Sequence, residues 1–206
     1  NHEYKRLGKD EIRLIKLYPS PDPDADLLCS LFHVDLTQPY GPYEAVSYAW
    51  GTKEDPEKLY YIAITANLDS ALRRFRRSNA IRLLWADAVC LDQESTEEKF
   101  YQIPNIQEIY TKASNVLIWL GGAGEEGRIC LEFFDRLSKK TVRRQVELLS
   151  PQNLARMIDD SLDETFQHRR LDALERFFHP VNRPWFLRRW VIQEVGASRD
   201  ALVYCG

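Results

Sequence analysis

Four cysteines and four histidines are spread through 206 residues, and neither type is grouped. Cys29, Cys90, Cys130 and Cys205 form no C-x-x-C pair, which argues against a zinc site or a dithiol redox motif. Reduced thiols in a cytosolic protein fit the pattern, with no metal and no bound cofactor expected. His2, His33, His168 and His179 stand in no recognisable relation to Cys90, so a cysteine nucleophile lacks its base. An excess of one charge is also missing. Twenty-eight Lys and Arg against 31 Asp and Glu give a net charge of −3, which offers no reason to expect nucleic acid or an anionic membrane as a partner. No run approaches the roughly 18 uninterrupted apolar residues of a membrane span, and Asn1 to Asp10 lacks the apolar middle of a signal peptide. The chain reads as soluble and cytoplasmic. It starts at Asn1 rather than Met, and Ala201 to Gly206 looks like a strand leading onward, so a piece of a longer protein with further domains is expected.

The 44% of hydrophobic residues is enough for one substantial core. Apolar runs rich in β-formers occur at Ile12 to Leu17, Leu27 to Val34, Tyr43 to Ala49, Leu59 to Thr65, Ile81 to Asp87 and Val116 to Leu120. The loop Pro19 to Asp26 carries three prolines and three aspartates, so the first two runs read as an antiparallel pair outside the main sheet, an annex over 1–40. Asn67 reads as the N-cap of a helix with Leu68, Ala71, Leu72 and Phe75 on its apolar face. The arginines beside it, Arg73, Arg74, Arg76 and Arg77, read as a solvated helix face. Ser95 and Glu98 form a capping box before a second helix that Pro104 must kink or restart. Strand, helix, strand, helix, strand predicts an α/β fold with a mainly parallel sheet flanked by helices, in which ligands sit near the C-terminal ends of the strands. That rule directs attention to Trp50 and to Asp87 through Gln93. Residues 122–181 read as a helical insertion into a core of 43–121 and 182–206, the whole being one domain over 1–206. Gly122, Gly124 and Gly127 spell G-x-G-x-x-G, but Glu125 and Glu126 oppose a pyrophosphate there, so a flexible turn is expected.

A last helix is predicted from near Asn182 to Trp185 up to Gly196. Stepping by 100° per residue, Phe186, Leu187, Trp190 and Val191 share an apolar arc, and Glu194 falls inside it. A carboxylate in such a place is costly unless hydrogen-bonded, paired, protonated or reserved for a ligand, which makes it a candidate site residue. The structural alternative is a glutamate satisfied by Arg189, by an arginine from the sheet or by backbone amides. Asp92 is either a ligand residue, a helix cap or the origin of an Asx turn. Cys90 is open to reading as a small buried hydrophobe.

Four segments together resemble the HET domain of fungal incompatibility proteins: YEAVSYAWG at Tyr43 to Gly51, LWADAVCLDQ at Leu84 to Gln93, QEIYTKASNVLIWLG at Gln107 to Gly121 and RPWFLRRWVIQEV at Arg183 to Val195. The resemblance spans nearly the whole chain and is weakest over 125–180. Asp92 stands where many members have Asn. HET domains are similar to TIR domains, with their flavodoxin-like sheet, many of which cleave NAD at the nicotinamide-ribose bond with a glutamate. The resemblance therefore implies a module of fungal innate immunity and regulated cell death, with NAD as substrate and Glu194 as catalytic carboxylate. Trp50 and Trp190 would offer aromatic surfaces to the cationic ring or the adenine, unless they are ordinary core residues. Ser47, Tyr48, Gly51, Asp87, Asp92 and Gln93 would line the same crevice. The competing class is a non-catalytic module that signals by self-association. An open cleft holding Glu194 with Asp87 or Trp50 favours the first class, and a sealed, salt-bridged Glu194 the second.

Overall fold

The computed structural model describes residues 3–38, 41–50, 56–59, 62–143, 172–179 and 182–206. The chain divides into two compact units, Asn1–Gly121 with Leu187–Tyr204, and Gly122–Phe186 with Cys205–Gly206. The first unit is built on a six-stranded sheet. Its strands are β1 (Glu11–Leu17), β2 (Cys29–Asp35), β3 (Glu44–Tyr48), β6 (Arg82–Trp85), β7 (Asn115–Trp119) and β8 (Ala201–Tyr204), in the order β2-β1-β6-β3-β7-β8. β6, β3, β7 and β8 are parallel, and β1 pairs antiparallel with both β2 and β6. All five residues of β3 and four of the five in β7 are buried, as parallel strands covered on both faces require.

The antiparallel pair β1/β2 forms as expected, but it continues the main sheet through β1 and β6 instead of standing outside it. Burial explains why. Ile12 and Leu14 face one side of β1, Arg13, Ile15 and Leu17 the other, and all five are buried; a strand that buries both faces belongs inside a sheet. The run Leu59 to Thr65 is another correction. It splits between β4 (Pro56–Leu59) and β5 (Ile62–Thr65), a separate hairpin in which Leu59 pairs with Ile62. Tyr60 and Tyr61, within the same run, lie outside the described residues.

Helix α1 (Ala66–Phe75) begins two residues earlier than an N-cap at Asn67 suggests, because Thr65 is its N-cap and accepts from the Leu68 amide through Oγ1. Thr65→Ala is expected to cost about 1 kcal/mol of stability in a urea titration. Asn67 is used elsewhere: its amide donates to the Ala49 carbonyl and accepts from the Trp119 indole at 2.9 Å, which pins the loop after β3. Nor is the arginine cluster merely solvated. Arg73 and Arg76 donate to carbonyls of the loop at Asp22, Pro23, Ala25 and Asp26, fastening the β1–β2 connection to α1.

After β6 come α2 (Asp87–Cys90), α3 (Thr96–Gln102), a 3-10 turn at Ile103–Asn105 and α4 (Ile106–Lys112), so Pro104 does restart the helix. The capping box is half made. Ser95 Oγ accepts from the Glu98 amide, while the Glu98 carboxylate turns to Arg13 and to the Asp92 amide.

In the second unit the described residues are helical, in α5 (Gly124–Arg143) and α6 over 172–178. Cys130 is buried with its thiol on the Ala173 carbonyl, and Arg183 stacks on Phe177 with its centre 4.9 Å from the ring. Gly124 opens α5 at φ +58°, a backbone conformation that favours glycine, so the middle glycine of G-x-G-x-x-G serves the entry of a helix.

The segment Pro184–Leu187 is a 3-10 turn, and the following helix, α7 (Val191–Gly196), starts only at Val191. The single helix expected from Asn182 onward is therefore broken at Arg188 to Trp190.

Candidate active site

Parallel strands end on the same side of the sheet, so β3 and β6 deliver Ser47, Trp50 and Asp87 to one place. A cleft of about 370 Å³ lies there, bounded by Trp50, Trp85, Asp87, Tyr110, Trp190 and Glu194 among others. Gln93, Lys99 and Arg188 also line it. The floor is apolar, with the rings of Trp85 and Tyr110 edge to face at 5.6 Å, and the Tyr110 hydroxyl donating to the Val46 carbonyl at 3.0 Å.

Glu194 is 3% exposed, whereas its helix neighbour Ile192 is 81% exposed. Its Oε2 accepts from the Ser47 hydroxyl, and its Oε1 lies 3.1 Å from the Arg188 guanidinium. Arg188 also lies 3.8 Å from Asp87 Oδ2. That oxygen accepts from the Trp50 indole N–H at 2.8 Å, and the other Asp87 oxygen from the Ala88 amide at 2.8 Å. The Tyr48 hydroxyl is buried beside Asp87 without a hydrogen bond of good geometry. Gln93 donates to the Asp87 carbonyl at 2.8 Å, and Lys99 donates to the Gln93 carbonyl at 2.7 Å, so α2 and α3 are tied together at the cleft wall.

Burial raises the Glu194 carboxyl above the usual range; Arg188 and the Ser47 hydroxyl oppose the rise and the Asp87 charge adds to it. Burial likewise raises Asp87, against Arg188 and the donors from Trp50 and Ala88. A carboxyl that holds its proton more tightly when folded contributes stability that is present below the unfolded value, about 4, and lost as pH rises through the folded one. Against Glu194→Gln, the parent protein is therefore expected to lose stability as pH rises from about 4, by at most ~1.4 kcal/mol per pH unit for one group. Paired urea titrations across pH 4 to 8 measure this; a difference that is flat or widens the other way removes the raised carboxyl. Burial also pushes the Cys90 thiol up to about 12, so this residue is a small buried hydrophobe and offers no thiolate. Among the described residues, no group of three or more His, Cys, Asp or Glu is placed to hold a metal ion. None of their helices is long and apolar enough to cross a membrane.

A family model for the heterokaryon incompatibility proteins (HET) matches residues 43–194, from the residue before β3 to the buried carboxylate itself. The chain belongs to the HET family. It is also 28% identical over 230 residues to "Heterokaryon incompatibility protein 6, OR allele" of Neurospora crassa, a match that covers 95% of the chain and 33% of that protein. The chain thus spans about a third of the length of this relative. No solved structure matches it. Every residue lining the cleft falls within the matched HET segment, while β1, β2 and β8 lie outside it.

Of the residues singled out by sequence, Glu194, Ser47, Trp50, Asp87, Gln93 and Trp190 meet at this cleft, with Tyr48 buried behind Asp87. Asp92 does not. It lies on a different pocket with Tyr4 and Ser95, and its Oδ1 accepts from the Glu94 amide at 3.0 Å, an Asx turn that shapes the entry to α3. Gly51 lies outside the described residues. Trp190 is half exposed and Trp50 more than a third, so both present ring surface to the cleft. The helix-wheel picture of Glu194 needs correcting, because the helix is interrupted. Leu187, Trp190 and Ile192 are exposed, and Glu194 is the buried residue of α7 because β3 supplies Ser47 beneath it. Its ionic partner is Arg188; Arg189 is exposed. Sequence reasoning missed Arg188 and Lys99. Only the polar and charged side chains crowded around W-x-x-x-E signalled the first, and nothing marked Lys99 as different from the other charged residues of α3.

Proposed function

We propose that this cleft binds NAD and cleaves its nicotinamide-ribose bond, and that the chain thereby serves a fungal incompatibility response ending in regulated cell death. The observation that carries the reading is a buried carboxylate, Glu194, set in a cleft with a second carboxylate and two accessible indoles at the C-terminal ends of parallel strands. A volume of about 370 Å³ suits a nucleoside-sized body such as the nicotinamide riboside half. Trp50 and Trp190 offer ring faces to the pyridinium. As the C1′–N bond breaks, nicotinamide leaves with the bonding electrons and becomes neutral, and the ribose takes on oxocarbenium character that a nearby carboxylate stabilises. Water then adds at C1′ and releases its proton, which a carboxylate of raised proton affinity is suited to receive. The products are nicotinamide, ADP-ribose and a proton. The relative's printed name and the resemblance to TIR domains support the biological half of the reading.

One observation favours a second reading. Glu194 is deeply buried and ion-paired with Arg188, as a structural carboxylate would be, which fits a non-catalytic module that signals by self-association. Nicotinamide release from NAD, followed at low and high protein concentration with Glu194→Gln as control, separates the two. Release that grows faster than enzyme concentration and vanishes in the variant supports an assembly-activated hydrolase. Folded, self-associating protein that releases none at any concentration leaves the signalling module.

A further inference from the structure

The cleft carries two carboxylates, Asp87 and Glu194, and two cations, Arg188 and Lys99. A ligand with only a positive ring would need only the carboxylates, and one with only a phosphate would be repelled by them. Balanced charge suits a ligand bearing both. Arg188 is the group able to serve the negative part. It stands in the break between the 3-10 turn at Pro184–Leu187 and α7, with its side chain partly exposed. Its bonds to Glu194 are 3.1 and 3.4 Å, and its 3.8 Å separation from Asp87 is beyond hydrogen-bond range. Of five guanidinium N–H donors, only those aimed at Glu194 are used among the described residues, which leaves donors for a planar anionic group.

Neither carboxylate depends on Arg188 alone. Glu194 keeps the Ser47 hydroxyl, and Asp87 keeps the Trp50 indole and the Ala88 amide. The guanidinium can therefore turn away without leaving either one unpartnered. That is unusual for a buried pair, where removing one member normally strands the other.

We infer that Arg188 is an exchangeable clamp: it pairs with Glu194 in the empty cleft and turns to the diphosphate of a dinucleotide when the ligand enters, so that ligand binding itself frees the carboxylate. The inference rests on the NAD reading for its occupant. It also makes the diphosphate a requirement for turnover, because a ligand without it leaves Glu194 paired.

The test is calorimetric binding of inorganic pyrophosphate, NAD and nicotinamide riboside to the parent chain, Arg188→Gln and Arg188→Lys. Arg188→Gln is expected to weaken pyrophosphate and NAD at least about tenfold, as loss of charge-assisted hydrogen bonds does, and to leave nicotinamide riboside unchanged or tighter. Arg188→Lys, which keeps the charge but not the fork, should fall between and covers the case in which the glutamine variant does not fold. Equal weakening of all three ligands would assign Arg188 a purely structural role and overturn the clamp. So would pyrophosphate binding that ignores both variants, or a parent chain that binds neither pyrophosphate nor NAD. Arg188-dependent pyrophosphate binding in a protein that never releases nicotinamide would retire the hydrolase reading and leave the clamp standing.

Discussion

Glu194→Gln is expected to lower nicotinamide release by at least about 10²-fold with little change in KM. A charge that stabilises developing positive charge acts mainly in the transition state, and losses of such groups fall in this range. Glutamine has nearly the shape of glutamate and its Oε1 can still accept from Ser47, so the seat under α7 survives. Arg188 loses its closest partner, but it is partly exposed and remains near Asp87, so water and that carboxylate take up its donors. The variant should therefore stay folded, and its thermal midpoint should match or exceed the parent's at pH 8, where the buried anion is most costly. Steady-state kinetics with a parallel melting curve measures both. A fall in kcat with the midpoint preserved assigns the carboxylate to the chemistry. A loss of activity that tracks a loss of folded protein assigns it to the scaffold.

Glu98→Ala is expected to be the most damaging single change to the fold outside the apolar core, at about 3–5 kcal/mol. Arg13 is 1% exposed and lies in the middle of β1, where a guanidinium is costly unless its charge is paired. Glu98 takes both terminal nitrogens of Arg13, one of them at 2.9 Å, and the Cys90 and Lys5 carbonyls accept from the same two nitrogens, while Nε has no hydrogen-bond partner among the described residues. Removing the carboxylate strands a buried cation and also deprives the Asp92 amide of its acceptor. One residue earlier, Glu97 pairs with Arg6 on the surface, and Glu97→Ala should change stability little because both partners are already solvated. Urea titrations of the two alanine variants form a matched pair. Similar losses in both would mean that Arg13 is satisfied without Glu98.

The features legible in the sequence were those set by local pattern. The apolar runs of β1, β3, β6 and β7 are nearly continuous because strands buried on both faces need little alternation, and the stop at Pro104 follows from its missing N–H. Long-range features were harder. Nothing local says that Arg13 enters the core, since its ligands come from Lys5, Cys90 and Glu98. Without that fact, β1 reads as one half of a free hairpin. At the site, Glu194 was found by an angular argument whose geometry the break at Arg188 to Trp190 removes. The residue is buried because of its contact with Ser47, 147 positions away, which no helix wheel contains. The same break hid Arg188, since a turn residue has no face to be read from periodicity. Asp92 misled for the opposite reason: an acid near a strand end serves a turn as readily as a ligand.

The spacing of the cleft residues along the chain bears on when the cleft is completed during synthesis. Ser47, Trp50 and Asp87 leave the ribosome early, with most of the strands that carry the sheet, while Arg188 and Glu194 follow only after the whole of 122–186 has been made. Chains begin to fold from the N-terminal side as they emerge. A nascent HET chain therefore builds the side of the cleft that carries Trp50 and Asp87 before Glu194 exists, and on the proposed hydrolase reading it stays inactive until α7 docks on β3. Translation acts as a timer, and a ribosome that stalls anywhere inside 122–186 yields a product that has Trp50 and Asp87 but lacks Arg188, Trp190 and Glu194.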